Sequence, residues 1–303
     1  MNIIQRLNRM CLPLLILLGL FALSACSPDH SNAGPVTSSV DDNRGGDPLN
    51  QQFNSVIDQK LSAAINGDHR TQANMARDLY RHPAQTLGFF GIKPDMTVVE
   101  IFPGGGWYTE ILAPYLKDDG TYYAAGNDPD SGSNFSRKSA QRFKIKMMSH
   151  PVYTNVNITV LAPPEKTAIA PPGSADAVLT FRNIHNWMKA GTADDVFRAM
   201  YTALKPGGTL GVVEHRGNPD TPQDSGAGTG YVNQDVAIRL AEKVGFVFVA
   251  SSEINANPRD TKDHPKGVWT LPPTLALKEQ DKAKYLAIGE SDRFTLKFIK
   301  PIK

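Results

Sequence analysis

Thr97-Val98-Val99-Glu100-Ile101-Phe102-Pro103-Gly104-Gly105-Gly106 is a short apolar, β-branched run broken by a proline and three glycines. Such a run suits a strand buried on both faces. Beyond the glycines, Trp107, Tyr108, Ile111, Leu112, Tyr115 and Leu116 fall on one helical face. Pro114 lies inside that helix and lacks an N–H, so a kink or an early stop near Ala113 is expected. Working outward, helices are predicted over Val56–Ile65 and Thr71–Tyr80 before the run. After it come strands at Thr121–Ala125, Asn157–Leu161 and Ala175–Phe181. A helix capped by Thr192, with Asp194 and Asp195 in its first turn, precedes strand Thr209–Val213. Helix Gln234–Val244, strand Phe246–Ser251 and strand Asp292–Ile299 complete the pattern. Strands separated by helices imply an α/β fold, a mostly parallel sheet with helices on both faces.

The chain has 303 residues, 41% hydrophobic and 20% charged, which excludes a disordered or polytopic membrane protein. Its amino end reads as an address. Arg6 and Arg9 precede the apolar run Cys11–Ala25, which as a helix spans roughly 22 Å, short of the ~30 Å hydrocarbon core. That is a signal peptide rather than a membrane span. Its end, Leu23-Ser24-Ala25-Cys26, resembles a bacterial lipobox, implying cleavage before Cys26 and lipidation of its thiol. Ser27 then favours the outer membrane, with the folded part on the periplasmic side. With Cys11 removed and Cys26 acylated, neither of the 2 cysteines is left for a disulfide or a thiolate zinc site. Residues 26–54 are rich in Ser, Asn, Asp, Gly and Pro and read as a flexible tether, leaving 55–303 as one domain. Taking Arg6 and Arg9 from the 32 basic residues leaves 30 against 30 acidic ones. A neutral domain without a basic stripe is a poor match for nucleic acid.

In an open parallel sheet, ligands sit beyond the carboxyl ends of the strands, where glycine lets them approach the backbone. Glu100-Ile101-Phe102-Pro103-Gly104-Gly105-Gly106, Leu204-Lys205-Pro206-Gly207-Gly208 and Gly173–Phe181 resemble the first motif, the turn before the fifth strand and the fourth-strand region of class I S-adenosylmethionine-dependent methyltransferases. The likeness covers roughly residues 70–303. It is nearest to a bacterial branch carrying Gly-Gly-Trp-Tyr-Thr-Glu, Arg-Asn-Ile-His-Asn-Trp and a late Gly-Glu-Ser-Asp-Arg-Phe. The resemblance implies a Rossmann-like sheet of seven strands, the last antiparallel, and S-adenosylmethionine as cofactor. It places Gly104, Gly105 and Gly106 against the methionine portion and Glu100 behind them as an acceptor. Phe102 stands where the family has its first glycine. Gly126 stands where an acid holds the ribose, so Asn127 or Asp128 would serve one or two residues late.

Methyl transfer needs positioning and, for an oxygen or carbon nucleophile, a base. Arg182-Asn183-Ile184-His185-Asn186-Trp187 follows the fourth strand, whose end faces the methyl group in relatives. His185 and Asn183 are the candidate catalytic residues; Tyr108, Arg182, Trp187 and His215 are candidates for the substrate side. Each has a plainer alternative: His185 bonding loop backbone, Trp187 capping the core, Tyr108 packing a helix. Residues 216–233 read as a cover for the pocket or an ordinary loop, and Asp68, Arg70, Arg81 and His82 as closing it or pairing at the surface. No His-Glu-x-x-His or His-x-His spacing points to a metal. The substrate is then a small molecule or an envelope component. Two other classes remain: a non-catalytic binding protein for an envelope ligand, and a dinucleotide oxidoreductase. The last is disfavoured because the third glycine of G-x-G-x-x-G is missing and no acid ends the second strand.

Overall fold

A computed structural model describes residues 59–302. The signal segment, Cys26, the tether and the first residues of the Val56–Ile65 helix lie outside them. In chain order the helices before the sheet are α1 (59–65), α2 (Gln72–Met75), α3 (Asp78–Arg81) and α4 (Pro83–Phe90). Then follow β1 (Thr97–Ile101), α5 (Thr109–Leu116), β2 (Thr121–Gly126), α6 (Asn134–Met147) and β3 (Val156–Val160). The second half runs β4 (Ala175–Phe181), α7 (Ile184–Ala190), α8 (Ala193–Ala203), β5 (Leu204–His215) and α9 (Gln234–Glu242). It closes with β6 (Val247–Ser252), α10 (Lys282–Ile288) and β7 (Arg293–Ile299).

The seven strands lie in the order β3-β2-β1-β4-β5-β7-β6. β1 to β5 pair parallel, and β7 is antiparallel to both β5 and β6. The fold is Rossmann-like.

Alternation along the strands splits the core into two layers. Val178 of β4 packs with Phe197 and Met200 of α8, while Ala177 and Leu179 face Phe90 of α4 and Ile111 and Leu112 of α5. Helices α7, α8 and α9 therefore cover one face, and α1, α4, α5 and α6 the other.

Three local expectations change. The Thr71–Tyr80 helix is two single turns, and the chain restarts at α4. Pro83 bars the α conformation to the residue before it, so His82 turns left-handed at φ 40° and Pro83 occupies the first turn of α4. Helix α5 runs through Pro114 to Leu116 without stopping. The carbonyl that Pro114 leaves unpaired, on Glu110, instead bonds the His69 ring Nε2 at 2.7 Å. At α8 the two acids sit in the first turn, but the Thr192 hydroxyl makes no cap hydrogen bond.

Candidate functional site

The strand order reverses between β1 and β4, since β2 and β3 lie to one side and β5, β7 and β6 to the other. Such a switch point leaves a crevice beyond the carboxyl ends of the two strands. Each strand is followed there by a non-glycine residue in the left-handed region, Phe102 at φ 46° after β1 and Arg182 at φ 61° after β4. This backbone costs of order 1–3 kcal/mol per residue and concentrates at functional sites. Each residue first completes the ladder: Phe102 N–H donates to Ala125 O at 2.8 Å and Arg182 N–H to Val213 O at 2.7 Å. The chain then leaves the sheet, and Gly104 and Gly106 carry the corner at φ 60° and 76°. A Cβ placed on Gly104 or Gly105 would meet nothing within 4 Å, so the corner faces open space. Its other side is held, because Lys146 Nζ donates to Gly105 O and pairs with Glu110 at 2.6 Å. Phe102 leans on the core beside Trp187, ring centres 6.4 Å apart, and borders the crevice without filling it.

Two cavities share Pro103 and Gly104 in their walls. The first, about 350 Å³, opens over the ends of β1, β4 and β5. The second, about 730 Å³, lies over the end of β2 and is lined by Gly126, Asn127, Ser139 and Phe143. Asn127 therefore borders a cavity, its side chain held by Ser139 at 3.2 Å and Ser136 at 3.4 Å. Asp128 does not line either cavity. Lys166 draws it away with contacts of 2.9 and 2.8 Å and, with the Asp130 N–H, lowers its pKa.

The first cavity gathers most of the expected residues. Glu100 is buried, and its Oε2 accepts from Thr109 at 2.9 Å and from the Tyr122 hydroxyl. Burial nonetheless raises its pKa to about 7. Tyr108 stacks on Phe181 at 3.6 Å between ring centres, and burial pushes its hydroxyl up to about 12. His185 Nδ1 lies 3.2 Å from Oε1 of Glu214, a fully buried carboxylate at the end of β5. Glu214 also accepts from Ile184 N–H at 2.6 Å and His215 N–H at 2.8 Å, so it fixes the start of α7 and the imidazole together. With the proton on Nδ1, assigned from this bond, Nε2 is left as an acceptor. Asn183 donates to Ile101 O at 3.0 Å and Thr180 Oγ1 at 3.2 Å, which ties the two strand ends and makes it a positioning residue. His215 stands 5.5 Å from His185, ring to ring; burial, then His185 and nearby arginines, hold its pKa well below the ordinary value.

Trp187 corrects the expectation of a substrate contact. It packs against Phe197 in the core and does not line the cavity, because α7 turns its apolar side inward. The segment 216–233 does not cover the cavity either. Val268, Trp269, Pro272 and Pro273 do, and Thr229 supports them by accepting from Val268 N–H at 2.9 Å. His185, Glu214 and His215 place potential metal-binding atoms within 4.8 Å of one another, a grouping that spacing along the chain did not suggest. Glu214 already accepts three hydrogen bonds, and several arginines surround the group, so a cation is poorly served there.

Those arginines are the part that sequence reasoning largely missed. Arg77 and Arg81 reach in from around α3, Arg182 from the end of β4 and Arg293 from β7, beside Glu290. Because β7 runs against its neighbours, its first residues arrive at the same edge as the carboxyl ends of β1, β4 and β5. The signal was the polar Glu290-Ser291-Asp292-Arg293 run preceding an apolar strand predicted to be antiparallel.

No family model matches the chain, and no curated protein matches it. Among solved structures it is similar to a SAM-dependent methyltransferase from Aquifex aeolicus, at 15% identity over 80% of this chain and 98% of that one, TM-score 0.48. It is also similar to geranyl diphosphate C-methyltransferase from Streptomyces coelicolor, at 14% identity, 84% and 99% coverage and TM-score 0.48. Phosphoethanolamine N-methyltransferase 2 from Haemonchus contortus, solved with S-adenosyl-L-methionine, matches at 16% identity over 81% of this chain and 57% of that one, TM-score 0.48. At such identities any role rests on the site's own geometry.

Proposed function

We propose that the chain is an S-adenosylmethionine-dependent methyltransferase of the bacterial cell envelope, lipid-anchored through Cys26, acting on a small acceptor beside His185. The observation that carries this is the glycine corner, open to two adjoining cavities at the switch point and next to an imidazole oriented by a buried carboxylate. The cofactor, when bound, supplies a methyl group on a sulfonium, and its leaving thioether needs no acid.

The rest of the work falls to residues of the chain. Gly104 and Gly105 let a ligand approach the backbone, and Asn127 offers its amide at the second cavity. Glu100, with its pKa near 7, is an acceptor that carries only part of a charge at neutral pH. Tyr108 and Phe181 form one stacked wall. Holding nucleophile and methyl together is worth roughly 7–11 kcal/mol in oriented model systems. His185 Nε2 takes the acceptor's proton while Glu214 stabilises the imidazolium, a step worth about 10²–10⁴-fold.

A second reading, a non-catalytic binding protein, draws on the end of β2. Gly126 stands where a ribose-holding acid would be, and Lys166 engages Asp128. Calorimetry with S-adenosylmethionine and S-adenosylhomocysteine tests the choice. Saturable binding at micromolar concentration supports the enzyme; no heat at millimolar concentration leaves the binding protein.

A further inference from the structure

We propose that the first cavity is built for a small molecule bearing a doubly charged oxyanion, either a phosphoryl group or a pair of carboxylates, held by Arg182 with Arg77, Arg81 and Arg293. Four guanidinium groups line this cavity, and a single carboxylate, Glu290, is shared among three of them. It accepts from Arg77 Nε at 2.5 Å, from Arg81 Nε at 3.4 Å and from Arg293 Nη2. The Arg182 guanidinium forms no hydrogen bond or ion pair among the described residues. Arg293 Nη1 donates to Tyr80 O at 3.1 Å, but its Nε is buried without a partner among the described residues. Among the described residues, Arg81 shares its charge only with Glu290 and the face of Trp107, 4.7 Å away. Enclosed cations left this short of acceptors are costly unless something negative completes them.

The charge count sets the class of ligand. Counting only the residues that line the cavity, which leaves out Glu214 behind His185, four arginines against Glu290 leave a surplus of three, and Glu100, only partly ionised near neutral pH, trims it to between two and three. One carboxylate, such as that at the amino-acid end of the proposed cofactor, would leave the surplus unmet. A phosphoryl group or two carboxylates match it, and guanidinium forks bind both in bidentate fashion. Burial followed by Arg293 lowers the Arg182 pKa to about 10, as a site poor in counter-charge requires.

The position gives the surplus a use. Arg293 lies opposite His215 in the β5–β7 register, and His215 is next to His185. An anion anchored on the arginines therefore brings the rest of its molecule to the His185 imidazole. That acceptor role rests on the methyltransferase reading, whereas the anion site stands without it.

The test is calorimetry on the full chain with sodium phosphate and with sodium malonate, against sodium chloride of equal ionic strength, each with and without S-adenosylhomocysteine. The expected result is saturable binding of at least one dianion, about tenfold weaker in Arg182→Gln. Phosphate alone identifies the phosphoryl class, and malonate alone the dicarboxylate class. Arg77→Gln gives the same readout should Arg182→Gln not fold, and Arg142→Gln, at an exposed position of α6, should bind as the wild type does. No saturable binding of either dianion, or undiminished binding in both cavity variants, overturns the proposal. Dianion binding by a chain that ignores S-adenosylhomocysteine upholds the anion site and removes the methyltransferase reading. The reverse pattern removes the anion site alone.

Discussion

Replacing Glu100 with glutamine keeps an oxygen that can accept from the Thr109 and Tyr122 hydroxyls, and takes a titrating group out of an enclosed position. In the native protein burial outweighs both hydroxyl donors and raises the Glu100 pKa from 4.5 to about 7. Below 4.5 the carboxyl is protonated in both native and unfolded chains and carries no penalty. Between 4.5 and about 7 the native chain binds more protons than the unfolded one, so this group makes stability fall as pH rises. Above about 7 it is ionised in both, and the full penalty stands. At 1.36 kcal/mol per pH unit, that window amounts to about 3 kcal/mol. Urea unfolding of wild type and Glu100→Gln at pH 5 and pH 8 reads it directly. The variant should gain about 2–3 kcal/mol on the wild type between the two conditions, and its stability should vary less with pH. A difference that is equal at both pH values, or that moves towards the wild type at pH 8, refutes the burial argument for Glu100.

Gly105→Ala adds a methyl group to open space at a corner whose backbone is not left-handed, so thermal stability should stay within about 0.5 kcal/mol of wild type. If the corner is the cradle, calorimetry on the same variant should show S-adenosylhomocysteine affinity reduced about tenfold, since the added carbon occupies ligand space. His69→Ala removes the partner of the Glu110 carbonyl and should cost about 1–3 kcal/mol by chemical denaturation. Pro114→Ala restores an N–H four residues on, so the double variant should recover at least about 0.5 kcal/mol of that loss; strict additivity would contradict the pairing. Cys26→Ser should abolish incorporation of radiolabelled palmitate and release the chain from the membrane fraction, and labelling that persists would rule out the lipid anchor.

The strands were legible because their chemistry is local. In β4 every residue but Asp176 is buried, and a mostly apolar stretch, broken only by Asp176 and Thr180, follows from being covered on both faces. The glycine corner and His185 were legible for the same reason, as short motifs at strand ends. Helix α6 was not, since only Ser139, Phe143 and Met147 are buried among its lysines, arginines and serines, too few to make a stripe. Helix α7 begins at Ile184 because a carboxylate 30 residues away accepts its first N–H, a cap with no local trace. The arginine group was least visible of all. Its members at 77, 81, 182 and 293 become neighbours only when the sheet brings distant segments to one edge. Asp128 illustrates the converse: its place in the chain suited a ribose, but a lysine 38 residues on engages it.

The late place of β7 in the chain also governs when the cavity can be completed during synthesis. Among the described residues β6 pairs only with β7, and β7 is inserted between β5 and β6, so neither edge is closed until the ribosome has passed Ile299. The same insertion delivers Glu290 and Arg293. A nascent chain halted before them would expose two unpaired edges and hold Arg77, Arg81 and Arg182 without the carboxylate that offsets part of their mutual repulsion. Completion of the sheet and charge balance at the cavity are thus one event, timed by the final strand.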